Sequence, residues 1–417
     1  MATKNISIAD LKKGMFIHKL DISWIKAPFL RHKRQINTDN DILLLKKSGV
    51  KNLVIDLSRS KITQDTAKKK VRKTQDLLAG LADEQVDTKN DQTKQAETPK
   101  QELKQELKVA KKLQGKISNL VKQLNASIKQ GQPPSIEAIS PIIDETRESL
   151  KRNDQALLTM LHLYRKNIKL SDHGFGVFSV VIPLAMRIGC SEEEINELGL
   201  AALLHDTGLS RLPMHLIGKH TKYTAAEKQL IQQHPDIVEN VLKKSPDFSE
   251  NLKKLVKQHH EVIDGSGYPY KLRKDSIYPL VEILQVADAY DEYIHGLNDK
   301  PGMLPANALK LIYQAAKKNK YSEAVVSELI HVMGIYPLTS AVQLSTGEKA
   351  LVEEIDKEKP LFPRLRIIYS ADGKPCKPGN FIDLASQDKN DNRSITKILE
   401  PLNKAEDPLG LLRITHV

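Results

Sequence analysis

Two cysteines, one tryptophan and seven phenylalanines in 417 residues define what this chain lacks. Cys190 and Cys376 lie far apart, which excludes a disulfide scaffold and makes reduced thiols in the cytoplasm the simpler expectation. No run reaches the roughly 18 apolar residues that a bilayer span needs. The best stretch, Val177 to Met186, is short and carries Pro183. The first residues lack the apolar core of a signal peptide. A membrane-embedded or secreted role is therefore not expected. Aromatics make up only 5% of the chain, and 64 Lys plus Arg are interspersed with 52 Asp plus Glu, for a net charge of +12. No basic groove studded with aromatics is visible, so a nucleic acid polymer is not an expected partner. The positive field suits a small phosphorylated ligand equally well. With 40% apolar residues, wholesale disorder is excluded too.

What is present divides into four segments. Residues 1–60 read as a small N-terminal α+β domain. Its Val50 to Leu57 stretch is rich in β-branched residues and predicts a strand, and Trp24, Pro28 and Phe29 read as core. Residues 61–134 read as a charged linker and helix. Between 61 and 130, sixteen Lys and Arg face nine Asp and Glu, and residues 83–100 are polar enough to predict a disordered loop. Leu103, Leu107, Ala110, Leu113, Ile117, Leu120 and Leu124 then form one helical stripe, which Gly131 to Pro134 stops. A second helix is expected from near Ser135, interrupted at Pro141, to Tyr164. The pair 103–164 reads either as a hairpin or dimer stalk, or as surface helices packed on the next domain.

Residues 135–337 are the helical domain, with helices expected at 173–189, 192–206, 224–243, 249–261, 279–295, 304–317 and 322–333. Residues 338–417 read as a β-rich extension. Its strands are expected at Ala341 to Leu344, Ala350 to Ile355 and Leu365 to Tyr369, around Thr346-Gly347 and Asp372-Gly373 turns. The fold class is thus mainly α, with small β elements at both ends.

The chemistry concentrates in His173, His205-Asp206, His234, His259-His260 and Asp288. The apolar run LGLAALL leads straight into His205-Asp206, and Asp288 sits inside ILQVADAY. Ionisable groups in such surroundings are costly unless paired or bound to metal. Five imidazoles and two carboxylates suit two metal ions about 3.5–4 Å apart that share a carboxylate, and this donor set favours Fe, Mn or Zn. Structural histidines without metal are the alternative. A glycine-rich loop follows at Asp264, Gly265, Ser266, Gly267, Tyr268 and Pro269. It reads either as a tight turn or as a loop that closes over a ligand.

Together HDTG at 205–208, HHEVIDGSGYP at 259–269 and VADAYD at 286–291 resemble the HD-GYP family, a branch of the HD metal-dependent phosphohydrolases. His173 before an apolar helix ending in Arg187-Ile188-Gly189, and MGIYPLTSAVQLSTGE at 333–348, are similar to it as well. Residues 11–57 resemble the small domain of unknown role that often precedes it. The resemblance implies a helical HD-type domain that hydrolyses cyclic di-GMP to pGpG and/or GMP, with two divalent ions, Fe or Mn. A water bridging the ions would be the nucleophile. The first ion would take His173, His205, Asp206 and Asp288. The second would take Asp206, His234, His259 and His260. Asp206 would bridge the ions and act in catalysis. Asp264, Gly265, Gly267, Tyr268 and Pro269, with Lys271 as a replacement positive charge, would serve the substrate loop. A diguanylate cyclase-type or other signalling protein is an expected partner, and the helical stripe makes a second copy through helices 103–164 another.

Several positions depart from the family pattern. Leu209 stands where the family usually has Lys. Lys169 stands where members with a third metal offer Glu. Val262, Lys271 and Glu282 replace Arg, Gly and Arg, and only Lys300-Pro301 remains of a downstream Arg-Pro-Tyr-Arg run. All expected ligands for two ions remain, whereas groups that contact phosphate vary. This fits slow catalysis, with Lys219 or Lys271 as substitute cations. It also fits a catalytically weak or inactive cyclic di-GMP-binding module that keeps its metal. The HD scaffold supports di-iron oxygenases too, but the GYP loop argues for the nucleotide branch.

Overall fold

The structure, a computed structural model, describes residues 3–20, 34–36, 42, 45–46, 50–56, 103–137, 139–163, 170–217, 219, 221–296, 302–355, 359, 361–376, 380–387 and 393–399. The Trp24, Pro28 and Phe29 core, the loop at 83–100, Lys169 and Lys300-Pro301 lie outside the described residues. The chain forms two compact units, Met1–Thr98 and Pro99–Val417.

The first unit holds an antiparallel sheet of β1 (Thr3–Ser7), β2 (Phe16–Leu20), β3 (Arg34–Gln35) and β4 (Asn52–Asp56), in the order β1-β4-β2-β3. Leu11, Ile17, Ile36, Leu45, Val50, Leu53 and Ile55 form its core. The strand expected from the β-branched run is β4.

The second unit opens with α1 (Leu103–Gln130), whose stripe from Leu107 to Ile128 is buried. Helix α1 packs on α2 (Ser140–Arg152), α3 (Ala156–Leu163) and α4 (Leu170–Ile188). The stripe is therefore spent on contacts within the chain and is not available as the seam of a dimer stalk. Periodicity showed that one face is buried, but not against what. Pro141 starts α2 rather than interrupting a longer helix. In the first turn its missing N–H costs nothing. The break that does occur is at Asn153, whose Oδ1 accepts the N–H groups of Gln155 (3.0 Å) and Ala156 (3.1 Å) to start α3.

Arg152 at the end of α2 donates to both oxygens of the fully buried Glu106, at 2.8 and 2.9 Å. Removing the guanidinium strands a buried carboxylate. Arg152→Ala is expected to cost about 3–5 kcal/mol in chemical denaturation. A loss of only about 0–1 kcal/mol, the worth of a surface pair, would contradict this reading.

Helix α4 runs through the middle of the unit, with Phe175, Val177, Phe178, Val180 and Val181 all buried. A capping box starts α5 (Glu192–Leu204): the Ser191 hydroxyl accepts from the Glu194 N–H, and the Glu194 carboxylate accepts from the Ser191 N–H. The helix expected at 224–243 is two helices, α6 (Ala225–Ile231) and α7 (His234–Leu242). Pro235 explains the break, because proline fits in the first turn of α7 but not inside a continuous helix. Helices α8 (Glu250–Gln258), α9 (Val281–His295), α10 (Pro305–Ala316) and α11 (Glu323–Met333) complete the bundle.

The chain then forms an antiparallel sheet of β5 (Ala341–Leu344), β6 (Lys349–Glu354), β7 (Arg364–Tyr369), β8 (Phe381–Asp383) and β9 (Ile395–Leu399), in the order β8-β7-β6-β5-β9. Its core includes Val342, Leu344, Val352, Leu365 and Ile367, and Leu103 of α1 packs against it. Strands β8 and β9 were not legible in the sequence.

Candidate metal centre

Five elements deliver the imidazoles and carboxylates to one place. His173 lies in the first turns of α4. His205 and Asp206 follow α5, as its last turn gives way to a tight 3-10 turn at Thr207–Arg211. His234 opens α7, His259 and His260 follow α8, and Asp288 lies midway along α9. His173, His205, His234, His259 and Asp288 are all buried.

The imidazoles are oriented by what their outer nitrogens do. Nδ1 of His205 meets the carbonyl of Ala202 at 2.9 Å, that of His234 meets Ile231 at 2.8 Å, and that of His259 meets Val256 at 2.6 Å. A carbonyl only accepts, so each Nδ1 donates and each Nε2 presents a lone pair. His173 does the same against a carboxylate, Nδ1 to Asp291 Oδ2 at 2.7 Å. The four Nε2 atoms then converge in pairs, 3.3 Å between His173 and His205 and 3.1 Å between His234 and His259. Facing lone pairs at these distances repel unless a proton or a metal cation lies beside them.

Asp206 spans the two pairs. Its Oδ2 is 3.5 Å from His173 Nε2 and 3.7 Å from His205 Nε2. Its Oδ1 is 3.2 Å from His234 Nε2 and 3.7 Å from His259 Nε2. Asp288 Oδ1 lies 3.2 Å from His173 Nε2, and its Oδ2 lies 3.8 Å from His260 Nδ1. The donor atoms form one group of His173, His205 and Asp206 and another of Asp206, His234, His259 and His260, so the carboxylate of Asp206 belongs to both. Each oxygen faces a different histidine pair, as a bridging carboxylate requires. All seven expected residues are brought together, and the donor set fits two transition-metal ions.

Charge states follow from burial and neighbours. Burial pulls the His173 imidazole toward neutrality, but its bonds to Asp288 and Asp291 outweigh this and raise its pKa. Burial, only partly offset by Asp206, pushes His205 down to about 4. Burial and the nearby His259 and His234 also hold His260 well below the usual imidazole range. Burial disfavours the Asp206 carboxylate, yet His205, His234 and His259 overcome this and hold it well below the usual range. These directions leave Asp206 anionic and His205 and His260 neutral, which are the states that bind metal.

The glycine-rich loop folds onto His259-His260. Gly267 presses on the backbone, where an added Cβ would lie 2.5 Å from the Glu261 Cα and the Val262 nitrogen. Tyr268 donates its N–H to the His260 carbonyl at 3.2 Å and stacks on the His260 ring at 4.5 Å. Burial, then Asp206 and Asp288, push its hydroxyl pKa up, so Tyr268 stays a phenol. Asp264 accepts the Ser266 N–H at 2.8 Å, Gly265 takes a φ of +80°, and Lys271 is exposed at a φ of +53°. The fully buried Glu261 accepts the N–H groups of Tyr270 (2.6 Å) and Leu272 (2.8 Å), which anchors the loop past Pro269. Leu209 lies in the turn after Asp206. Lys219 is paired with Glu227 at 2.6 Å, so its charge is already answered.

The structure adds Asp291, which sequence reasoning missed. It is fully buried on α9 between His173 and His295 Nδ1, at 2.7 and 2.9 Å. Gly176 makes room for it, since an added Cβ there would lie 1.8 Å from Asp291 Oδ1. The signal was its place three residues after Asp288, one turn away on the same helix.

Residues 137–325 match the HD domain, residues 3–139 match a domain of unknown function (DUF3391), and residues 341–405 match a KOW domain associated with HD domain. The chain is 27% identical over 93% of its length to the cyclic di-GMP phosphodiesterase PA4108 of Pseudomonas aeruginosa, covering 90% of that protein. It is 28% identical to the cyclic di-GMP phosphodiesterase response regulator RpfG of Xanthomonas campestris pv. campestris, over 49% of this chain and 54% of that one. The solved structure of Bd1817, a HDG"Y"P protein from Bdellovibrio bacteriovorus, aligns with a TM-score of 0.44 at 19% identity, over 79% of this chain and 98% of that one. A helical core with an HD pair at the end of a buried helix defines an HD domain of the metal-dependent phosphohydrolase class. With its GYP loop and associated C-terminal domain, the chain belongs to the HD-GYP family.

Proposed function

We propose that this chain is a phosphodiesterase that hydrolyses cyclic di-GMP to pGpG and/or GMP. The observation that carries the reading is the Asp206 carboxylate set between two pairs of converging histidines. Two relatives are named cyclic di-GMP phosphodiesterases, and one of them aligns along nearly the whole chain. His173, His205, Asp206 and Asp288 would hold one divalent ion, and Asp206, His234, His259 and His260 the other. Iron or manganese fits these donors. When bound, the ions would supply Lewis-acid charge to a phosphoryl group and lower the pKa of a water that serves as nucleophile.

The chain's own groups do the rest. Asp206, anionic, fixes the spacing of the two histidine pairs. The glycine-rich loop brings the Tyr268 phenol, a protonated O–H donor, against His260. The net charge of +12 favours the approach of a dianionic dinucleotide. The leaving 3′-oxygen needs a proton or a cation, and Leu209 supplies neither. That position supports a second reading, a cyclic di-GMP-binding signalling module with weak or absent turnover.

Restoring the cation separates the readings. Leu209→Lys is expected to raise kcat by about 100-fold, the low end of a general acid–base contribution, with metal content unchanged. Product formation is followed by chromatography. An unchanged kcat would mean that the leaving group is served from elsewhere. Tight nucleotide binding with no product from either protein would favour the signalling module.

A further inference from the structure

Tyr270 stands one residue past the GYP sequence and ties the glycine-rich loop to two helices of the histidine centre. Tyr268 faces inward and stacks on the His260 ring. Tyr270 reaches outward and is half-exposed, yet its hydroxyl donates to Asp236 Oδ1 at 2.7 Å. Asp236 lies in the first turn of α7, two residues past His234. Lys257 of α8, two residues before His259, sets its Nζ 4.8 Å from the centre of the Tyr270 ring. The same Nζ lies 3.2 and 3.1 Å from the two carboxylate oxygens of Glu239, one turn after Asp236 on α7. Tyr270 thus joins the loop to the elements that deliver His234 and His259-His260.

The backbone beside Tyr270 is fixed as well. Its N–H and that of Leu272 both go to the buried Glu261, at 2.6 and 2.8 Å, so the chain is pinned on each side of Lys271. Burial and the bond to Asp236 push the Tyr270 phenol pKa up by more than Lys257 lowers it, so the hydroxyl keeps its proton and donates. Only Pro269 separates Tyr270 from Tyr268. Consecutive Cα atoms are about 3.8 Å apart, so the loop does not lift Tyr268 clear of His260 while the Asp236 bond holds.

We propose that the Tyr270–Asp236 hydrogen bond is a latch that keeps the glycine-rich loop closed over His260, with Tyr270 as the positioning residue for Tyr268. Its bearing on nucleotide entry rests on the phosphodiesterase reading above, and the test keeps the two apart. Full-length protein is purified anaerobically and digested with trypsin under native conditions, and cleavage after the exposed Lys271 and Arg273 is timed by mass spectrometry. Cleavage there requires the pinned segment to open, and its rate follows the population of the open form. Tyr270→Phe, which removes only the hydroxyl, and Asp236→Ala are each expected to speed this cleavage about fivefold, the net worth of one hydrogen bond. The double variant is expected to be no faster than either single one, because both remove the same bond. Asp236→Asn, which keeps an acceptor oxygen, is expected to return the rate toward wild type, a rescue that general loosening would not give. Cleavage after Lys310 in α10 is expected at the wild-type rate throughout. A wild-type rate at Lys271 and Arg273 in Tyr270→Phe, single effects that multiply in the double variant, or an equal rise at Lys310 would overturn the latch. Wild type that neither binds nor hydrolyses cyclic di-GMP would overturn the phosphodiesterase reading and leave the latch to be judged by cleavage alone.

Discussion

Asp206→Ala is expected to leave the protein without either ion and to lower cyclic di-GMP hydrolysis by at least about 1,000-fold. The metal count follows from geometry. Oδ2 of Asp206 faces His173 and His205, and Oδ1 faces His234 and His259. Truncation therefore removes a donor from both groups at once, and with it, among the described residues, the only donor common to both groups. The rate loss follows from what the ions supply. Stabilising charge on a phosphoryl group is worth several kcal/mol, and each 1.36 kcal/mol is about tenfold in rate. Elemental analysis of anaerobically purified variant and wild type checks the first part, and product chromatography the second. Unchanged metal content in Asp206→Ala would refute the bridging role. Loss of one ion only would place Asp206 on one side of the centre.

The second large effect belongs to a residue that touches no ion. Asp291→Asn is expected to weaken metal binding by about 10–100-fold while the fold stays intact. Asp291 holds the Nδ1 proton of His173 at 2.7 Å, and this fixes the tautomer whose Nε2 points inward. A carboxylate in that place also makes the imidazole a better donor, whereas a neutral amide does not. Burial raises the Asp291 pKa, but His295 and His173 outweigh it, and the group is held below the usual carboxylate range. It is therefore ionised when it meets His173. Asparagine keeps the shape beside Gly176, so the substitution tests charge rather than packing. Mn(II) titration reads the affinity, and an affinity equal to wild type would show that His173 is oriented by packing alone.

These two residues illustrate what was legible in the sequence. Asp206 was legible because it adjoins His205 at the end of an apolar run, where an ionisable pair has no cheap alternative to metal or partners. His259-His260 and the loop to Pro269 were legible for the same reason: unusual residues stand close together in the chain. Asp291 was not. Its partner His173 is 118 residues away, and its burial depends on a missing side chain at Gly176. Glu261 was passed over although it lies inside the quoted motif, because its role is to accept backbone N–H groups nine and eleven residues on.

Elements show the same division. The stripe of α1 announced a buried face, but a 3.6-residue period cannot name the helices that cover it. The break between α6 and α7 was written in Pro235, a residue suited to a first turn. Strands β8 and β9 are three and five residues long and carry little alternation, so only their partners in the sheet define them.

A two-ion phosphodiesterase is tested most directly by hydrolysis of cyclic di-GMP by anaerobically purified wild type, with metal counted in the same sample. The expected result is two divalent ions per chain together with the appearance of pGpG or GMP. A fully loaded protein that binds the dinucleotide for hours and yields no product would contradict the phosphodiesterase assignment.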